Sequence, residues 1–189
     1  MIILASKSPR RKAILDLVNI KYECIPSNVE EVVPDGMPIE EMPEYLSGIK
    51  ACDVAKGHPE DVIIGSDTLV EFDGKTLGKP ADAADAKRML RELSGRHHLV
   101  YTGVTIIYPG GEESFTSITD VEFNELTDED IDWYVSTGEV YDKAGAYGIQ
   151  GPGAVLIKGI TGDYFTVMGL PIAELVKRLK KIGVKDFGN

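Results

Sequence analysis

The chain has 189 residues, enough for one domain, or one domain with two lobes, and 43% of them are hydrophobic. Its 31 acidic against 20 basic side chains give a net charge of −11, which excludes a protein that grips nucleic acid through its phosphates; any anion site must be a local cluster of cations. Two cysteines, Cys24 and Cys52, cannot build a disulfide framework or a multi-cysteine zinc site and are expected to be small buried hydrophobes of a reducing compartment. No apolar run approaches the ~20 residues of a membrane helix. Met1 to Ala5 is too short for a signal peptide, so a cytoplasmic protein with no membrane partner is expected.

Ile2 to Ala5 reads as a buried strand, followed by Ser6-Lys7-Ser8-Pro9-Arg10-Arg11 and a helical spacing from Ala13 to Val18. Ser8 fits the N-cap and Pro9 the first turn. Two arginines in a first turn run against the helix dipole, which suits an anion resting there; Ser8, Arg10 and Arg11 therefore read as a phosphate cradle, the alternative being a solvated basic helix start. Lys21 to Ile25 suggests a short strand and Pro26 to Glu31 a loop. The pair Glu30-Glu31 could reach a metal or simply be surface acid. From Ile39 to Lys56 the pattern is helical, with Met42, Leu46, Ile49 and Val54 inward. Lys50 lies in this helix, where periodicity alone leaves it solvated.

Val62 to Pro80 carries the most pointed signal. An apolar strand, Val62-Ile63-Ile64, is expected to stop at Gly65-Ser66-Asp67-Thr68, leaving Asp67 at a strand exit, where a carboxylate holds a metal or takes a proton. Leu69 to Phe72 resumes the strand, Asp73-Gly74 is a hairpin signal, and the return is expected to bring Lys79 toward the acid.

Asp82 caps a helix running to Leu93, with Ala86, Met89, Leu90 and Leu93 inward. His97 to Tyr108 is a long strand, Pro109-Gly110-Gly111 turns it, and Ser114 to Phe123 runs back. Adjacent His97 and His98 must point to opposite faces, which leaves them structural or supporting. Thr127 and Asp130 form a capping-box start to a helix carrying Ile131, Tyr134 and Val135. Asp142 to Gly153 is a glycine-dense loop with one amide, Gln150. Ala154 to Lys158 reads as a strand, Tyr164 to Gly169 as a link, and Pro171 to Ile182 as a packing helix.

Two tempting motifs fail. Gly74-Lys75-Thr76 lacks the first Walker glycine, since position 69 is Leu69, and Gly151-Pro152-Gly153 lacks the third dinucleotide glycine, since position 156 is Leu156. HExxH and GxSxG are also missing, which removes support for zinc hydrolysis and acyl transfer.

The stretches LASKSPRRKAIL, GSDTLVEFDGKTLGKP, MLRELSGRHHLVYTGV, DKAGAYGIQGPG and GDYFTVMGLP, in this order, resemble the Maf family of nucleoside triphosphate pyrophosphatases over nearly the whole chain. The resemblance implies one Maf-like domain over residues 1–189 with an inosine triphosphatase-like α/β fold: an elongated curved mixed sheet flanked by helices, two lobes with a central cleft, and often a homodimer. It implies hydrolysis of a nucleoside triphosphate to monophosphate and pyrophosphate with Mg²⁺ or Mn²⁺. By motif, Asp67 resembles the general base, and Arg10, Thr68 and Gln150 the positions that set substrate preference. Arg11, Lys50 and Lys79 resemble phosphate-neutralising groups, and Glu30-Glu31 with Asp67 the metal-holding groups. An amide at Gln150 matches the O4 and N3–H edge of uracil or thymine, whereas a second branch, acting on 7-methyl-GTP, tends to carry a glutamate there. A non-catalytic nucleotide-binding regulator of septum formation is the competing class.

Overall fold

Three consecutive buried aliphatics, Ile2–Leu4, form strand β1 in the computed structural model, which describes residues 1–185. β1 runs parallel to the short β2 (Glu23–Cys24) on one side and to β3 (Val62–Phe72) on the other, with Ile2 opposite Val62 and Leu4 opposite Ile64. Strands buried on both faces carry such unbroken aliphatic runs. β3 returns through Asp73-Gly74 into β4 (Lys75–Leu77), antiparallel, with Phe72 opposite Lys75. Both turn residues have positive φ, 49° and 74°, as a type I′ hairpin requires. The long strands β5 (His97–Tyr108) and β6 (Gly111–Phe123) follow, joined by Pro109-Gly110, and β7 (Ile157–Thr161) pairs antiparallel with β6. The sheet order is β2-β1-β3-β5-β6-β7, with β4 on β3.

Helices cover this mixed α/β sheet: α1 (Pro9–Leu17), α2 (Met42–Ala55, entered through a 3-10 turn), α3 (Ala83–Leu93), α4 (Asp128–Ser136), α5 (Tyr164–Met168) and α6 (Ile172–Lys181). The chain divides into two compact units, one made of residues 1–67, 102–117 and 169 onward, the other of 68–101 and 118–168. In the second unit, the expected buried residues of α3 and α4 are all buried, and the Thr127–Asp130 capping box forms.

Five expectations are corrected. β3 does not stop at Gly65; it runs on to Phe72, so Asp67 lies within the strand. The buried face of α2 is Pro43, Ser47, Lys50, Ala51 and Val54, not Met42, Leu46 and Ile49, because the sheet meets this helix at two glycines. A Cβ on Gly65 would lie 2.2 Å from the Ser47 carbonyl oxygen, and one on Gly103 would lie 2.2 Å from the Pro43 carbonyl carbon. Such contact admits small side chains and backbone where bulky aliphatics would not fit. Residues 151–156 form a 3-10 turn before β7 begins at Ile157, and Tyr164–Met168 is a short helix. Neither cysteine is buried: Cys52 is exposed on the outer face of α2 and Cys24 half-buried. Gly65→Ala is expected to cost about 2–3 kcal/mol, because backbone and not a flexible side chain blocks the new methyl; the shift in denaturant midpoint measures it.

Candidate functional site

The parallel register fixes where the chemistry collects in the first unit. The Ala5 amide donates to the Ile64 carbonyl at 2.9 Å, so Ser6 leaves β1 alongside the carboxyl half of β3, where Ser66 and Asp67 follow. Ligands of parallel sheets settle beyond such strand ends. Side chains alternate along β3, so Ile63, Gly65 and Asp67 share the face toward α2; Ile63 clusters with Ala51 and Val54. The close approach at Gly65 lets the Lys50 ammonium reach Asp67 Oδ1, at 2.6 Å, and Glu31 Oε2, at 2.8 Å. Lys50 and Asp67 are mostly buried, their side chains 11% and 14% exposed.

α2 also holds the loop that carries Glu31. One turn beyond Lys50, Asp53 Oδ2 accepts from Ser27 Oγ at 2.8 Å and from the Asn28 amide at 3.0 Å, and Ser27 Oγ accepts from the Val29 amide. The Ser27 hydroxyl, then the Asn28 amide, hold the Asp53 carboxyl below its usual pKa. One helix thus presents the lysine and tethers the glutamate that meets it.

The start of α1 forms the other wall of the cluster. Ser8 caps the helix, its Oγ accepting from the Arg11 amide, with Pro9 next, as expected. Arg11 turns back: Nη1 donates to Ser6 Oγ at 3.1 Å and Nε to the Gly169 carbonyl at 2.8 Å. That carbonyl also accepts from the fully buried Ser66 Oγ at 2.9 Å. The first-turn arginine and the neighbour of Asp67 are therefore fastened to one oxygen. Burial pulls the Arg11 pKa down, Asp67 and Glu31 push it back up, and Arg10 pulls it down. Even so a guanidinium stays charged. Arg10 is half-exposed beside it.

Of the expected site residues, the first unit brings together Ser8, Arg10, Arg11, Glu31, Lys50 and Asp67. Glu30 is exposed, with no side-chain partner among the described residues, so Glu31 is the member of the pair that joins the cluster. Thr68, Lys79 and Gln150 belong to the second unit. Thr68 follows Asp67 on β3 and so points to the opposite face. Lys79 is exposed two residues beyond β4, and Gln150 is exposed at the start of the 151–156 turn. The Gly145 amide donates to the Gly78 carbonyl at 3.1 Å, tying the glycine-dense loop to the residue before Lys79.

Among the described residues, no three His, Cys, Asp or Glu side chains converge as a metal cage. Glu31 and Asp67 nonetheless supply hard carboxylate oxygens gathered around one cation, Lys50. That donor set suits Mg²⁺, which takes one or two carboxylates and completes its shell with waters and substrate phosphates.

His97 and His98 do point apart. His97 is exposed on Asp120, while His98 is 3% exposed with Nε2 2.7 Å from Tyr147 Oη. Burial lowers the His98 pKa to about 4, against the pull of Asp120 and with that of His97. The unfolded chain then binds this proton at a higher pH than the folded one, so the stability contribution is complete above about pH 6.5 and declines as pH falls toward 4. Wild-type protein is expected to lose about 2 kcal/mol between about pH 7 and pH 5 from this group, and His98→Gln to flatten that slope in urea titrations.

A mixed sheet with a charged site just past the end of the parallel β1–β3 pairing, two carboxylates on a buried lysine beside a cationic helix start, is an α/β arrangement suited to a polar ligand. The chain belongs to the Maf family: the model described as Maf-like protein matches residues 1–182. It is 49% identical over 179 residues, 95% of this chain and 94% of the relative, to a protein of Bacillus cytotoxicus named dTTP/UTP pyrophosphatase. A Bacillus pumilus protein of the same name is 46% identical over 98% of both chains. Among solved structures, the Staphylococcus aureus Ham1 protein is a loose likeness at 18% identity and a TM-score of 0.46, covering 66% of this chain and 72% of that one.

Proposed function

We propose that this protein is a nucleoside triphosphate pyrophosphatase that hydrolyses dTTP and UTP to the monophosphate and pyrophosphate. The observation that carries the reading is Lys50, buried between Asp67 and Glu31, two carboxylates that also act electrostatically on Arg11. The names of relatives at 46–49% identity over nearly the whole chain support the same substrates.

The chemistry follows from charge. A triphosphate repels hydroxide approaching its α-phosphorus unless cations offset its own charge, and positioning with electrostatics supplies most of such catalysis. Arg10 and Arg11, at the cationic start of α1, receive phosphate oxygens, and Lys79 adds a further cation. Lys50, held by two carboxylates, fixes the Asp67 carboxyl in place, where it can take a water's proton. Mg²⁺ or Mn²⁺, held by Glu31 and Asp67, would supply Lewis-acid charge neutralisation at the phosphates. Gln150 is assigned to the pyrimidine on its chemistry: one amide donates to O4 and accepts from N3–H. Thr68 joins Arg10 and Gln150 in setting preference. We assign the protein to the cytoplasm, consistent with the finding that no helix among the described residues is long and apolar enough to cross a membrane, and expect a homodimer.

A pyrophosphate-release assay over a nucleotide panel with Mg²⁺ or Mn²⁺ tests the reading. dTTP and UTP should head the panel; no turnover of any triphosphate would favour a nucleotide-binding regulator. Gln150→Glu, which replaces the donor with a second acceptor, is expected to lower kcat/KM for both by about tenfold or more. Unchanged kinetics would remove Gln150 from base recognition.

A further inference from the structure

Three residues before Gln150, the Tyr147 ring enters the core of the second unit. His98, Phe123 and Tyr147 meet edge to face, with ring centroids 5.1, 5.3 and 4.8 Å apart. The His98–Tyr147 hydrogen bond closes this cluster. Around it the loop is held at further points: the Gly148 amide donates to Tyr134 Oη at 3.0 Å, and a Cβ on Gly153 would lie 2.0 Å from the Gly148 carbonyl oxygen. Two unfavourable features sit at the centre. Ala146, fully buried, has φ 61°, a conformation that a side chain disfavours. His98 Nδ1 is buried with no hydrogen-bond partner among the described residues. The bond to Tyr147 Oη occupies Nε2 alone, so the ring is held through one nitrogen while the other stays unpaired in the core. Strain and an orphaned polar atom persist where the surroundings over-determine them, and they gather at segments whose placement matters.

We propose that His98 is a positioning residue: its hydrogen bond to Tyr147 fixes the 147–150 segment and so the direction in which Gln150 presents its amide to a pyrimidine. This rests on the reading of Gln150 as the group that recognises the base. Nothing else in the proposed chemistry uses His98, and an apolar residue would fill the core without leaving a nitrogen unpaired.

The test compares kcat and KM for UTP and CTP, whose pyrimidine edges differ in donor and acceptor, in Tyr147→Phe, His98→Leu, His98→Gln and Gln150→Ala. Tyr147→Phe and His98→Leu are expected to lower the UTP-to-CTP ratio of kcat/KM by about tenfold, chiefly through the KM for UTP. His98→Gln, whose amide nitrogen can stand where Nε2 stood, should stay within about threefold of wild type. A merely structural role would lower kcat for both nucleotides alike and leave the ratio unmoved. That result in folded Tyr147→Phe, which keeps the ring, overturns the proposal even if His98→Leu fails to fold. If Gln150→Ala moves the ratio and the His98 and Tyr147 variants do not, the positioning role alone falls; if Gln150→Ala leaves it unmoved, base recognition by Gln150 falls and takes this role with it.

Discussion

Asp67→Asn is expected to fold like wild type and to lose about 10³-fold in kcat, the scale set by removing a positioned general base. The amide oxygen can still accept from the Lys50 ammonium, which now lies 2.6 Å from Asp67 Oδ1, so the seam between α2 and β3 should hold. What the amide cannot do is take a proton from water, or give a metal a charged oxygen. KM should move less than kcat, because the phosphate-receiving groups at the start of α1 remain. Turnover within a few-fold of wild type would remove Asp67 from the chemistry.

Lys50→Met should have the largest effect on stability. Methionine fills the stem's volume but leaves Asp67 and Glu31 facing each other across the place of the lost cation. Stranding one side of a mostly buried ion pair costs about 3–5 kcal/mol, discounted here because Glu31 is 54% exposed; about 2–3 kcal/mol is expected near neutral pH. Denaturant midpoints of variant and wild type at neutral pH report it. Equal midpoints for variant and wild type at neutral pH would show that the cluster is not held by charge. Activity should fall with stability, since Lys50 is also a phosphate-neutralising group in the proposed chemistry.

The parts of the molecule that were legible in the sequence are those where local rules and tertiary packing agree. Ser8 and Pro9 start α1, Asp73-Gly74 turns the hairpin, Thr127 and Asp130 box the start of α4, and α3 buries the four side chains its spacing names. α2 was misread because its inner face is small and polar: Ser47 and Lys50 are buried where periodicity looks for leucines. The glycine of the GSDT stretch suggested an interruption, whereas it is what allows helix and strand to approach. Lys50 was reachable only through the family resemblance, since burial of a helical lysine depends on carboxylates distant in sequence. Asp53, Ser66 and the Gly169 carbonyl were missed altogether. Their partners lie 26, 103 and 158 positions away, and nothing in spacing announces them.

Water labelled with ¹⁸O tests the central claim most directly. With UTP and Mg²⁺, hydroxide delivered beside Asp67 to the α-phosphorus should place the label in UMP and leave pyrophosphate unlabelled. Label in pyrophosphate, or release of UDP and orthophosphate, would contradict attack at the α-phosphorus and the role given to the carboxylates around Lys50.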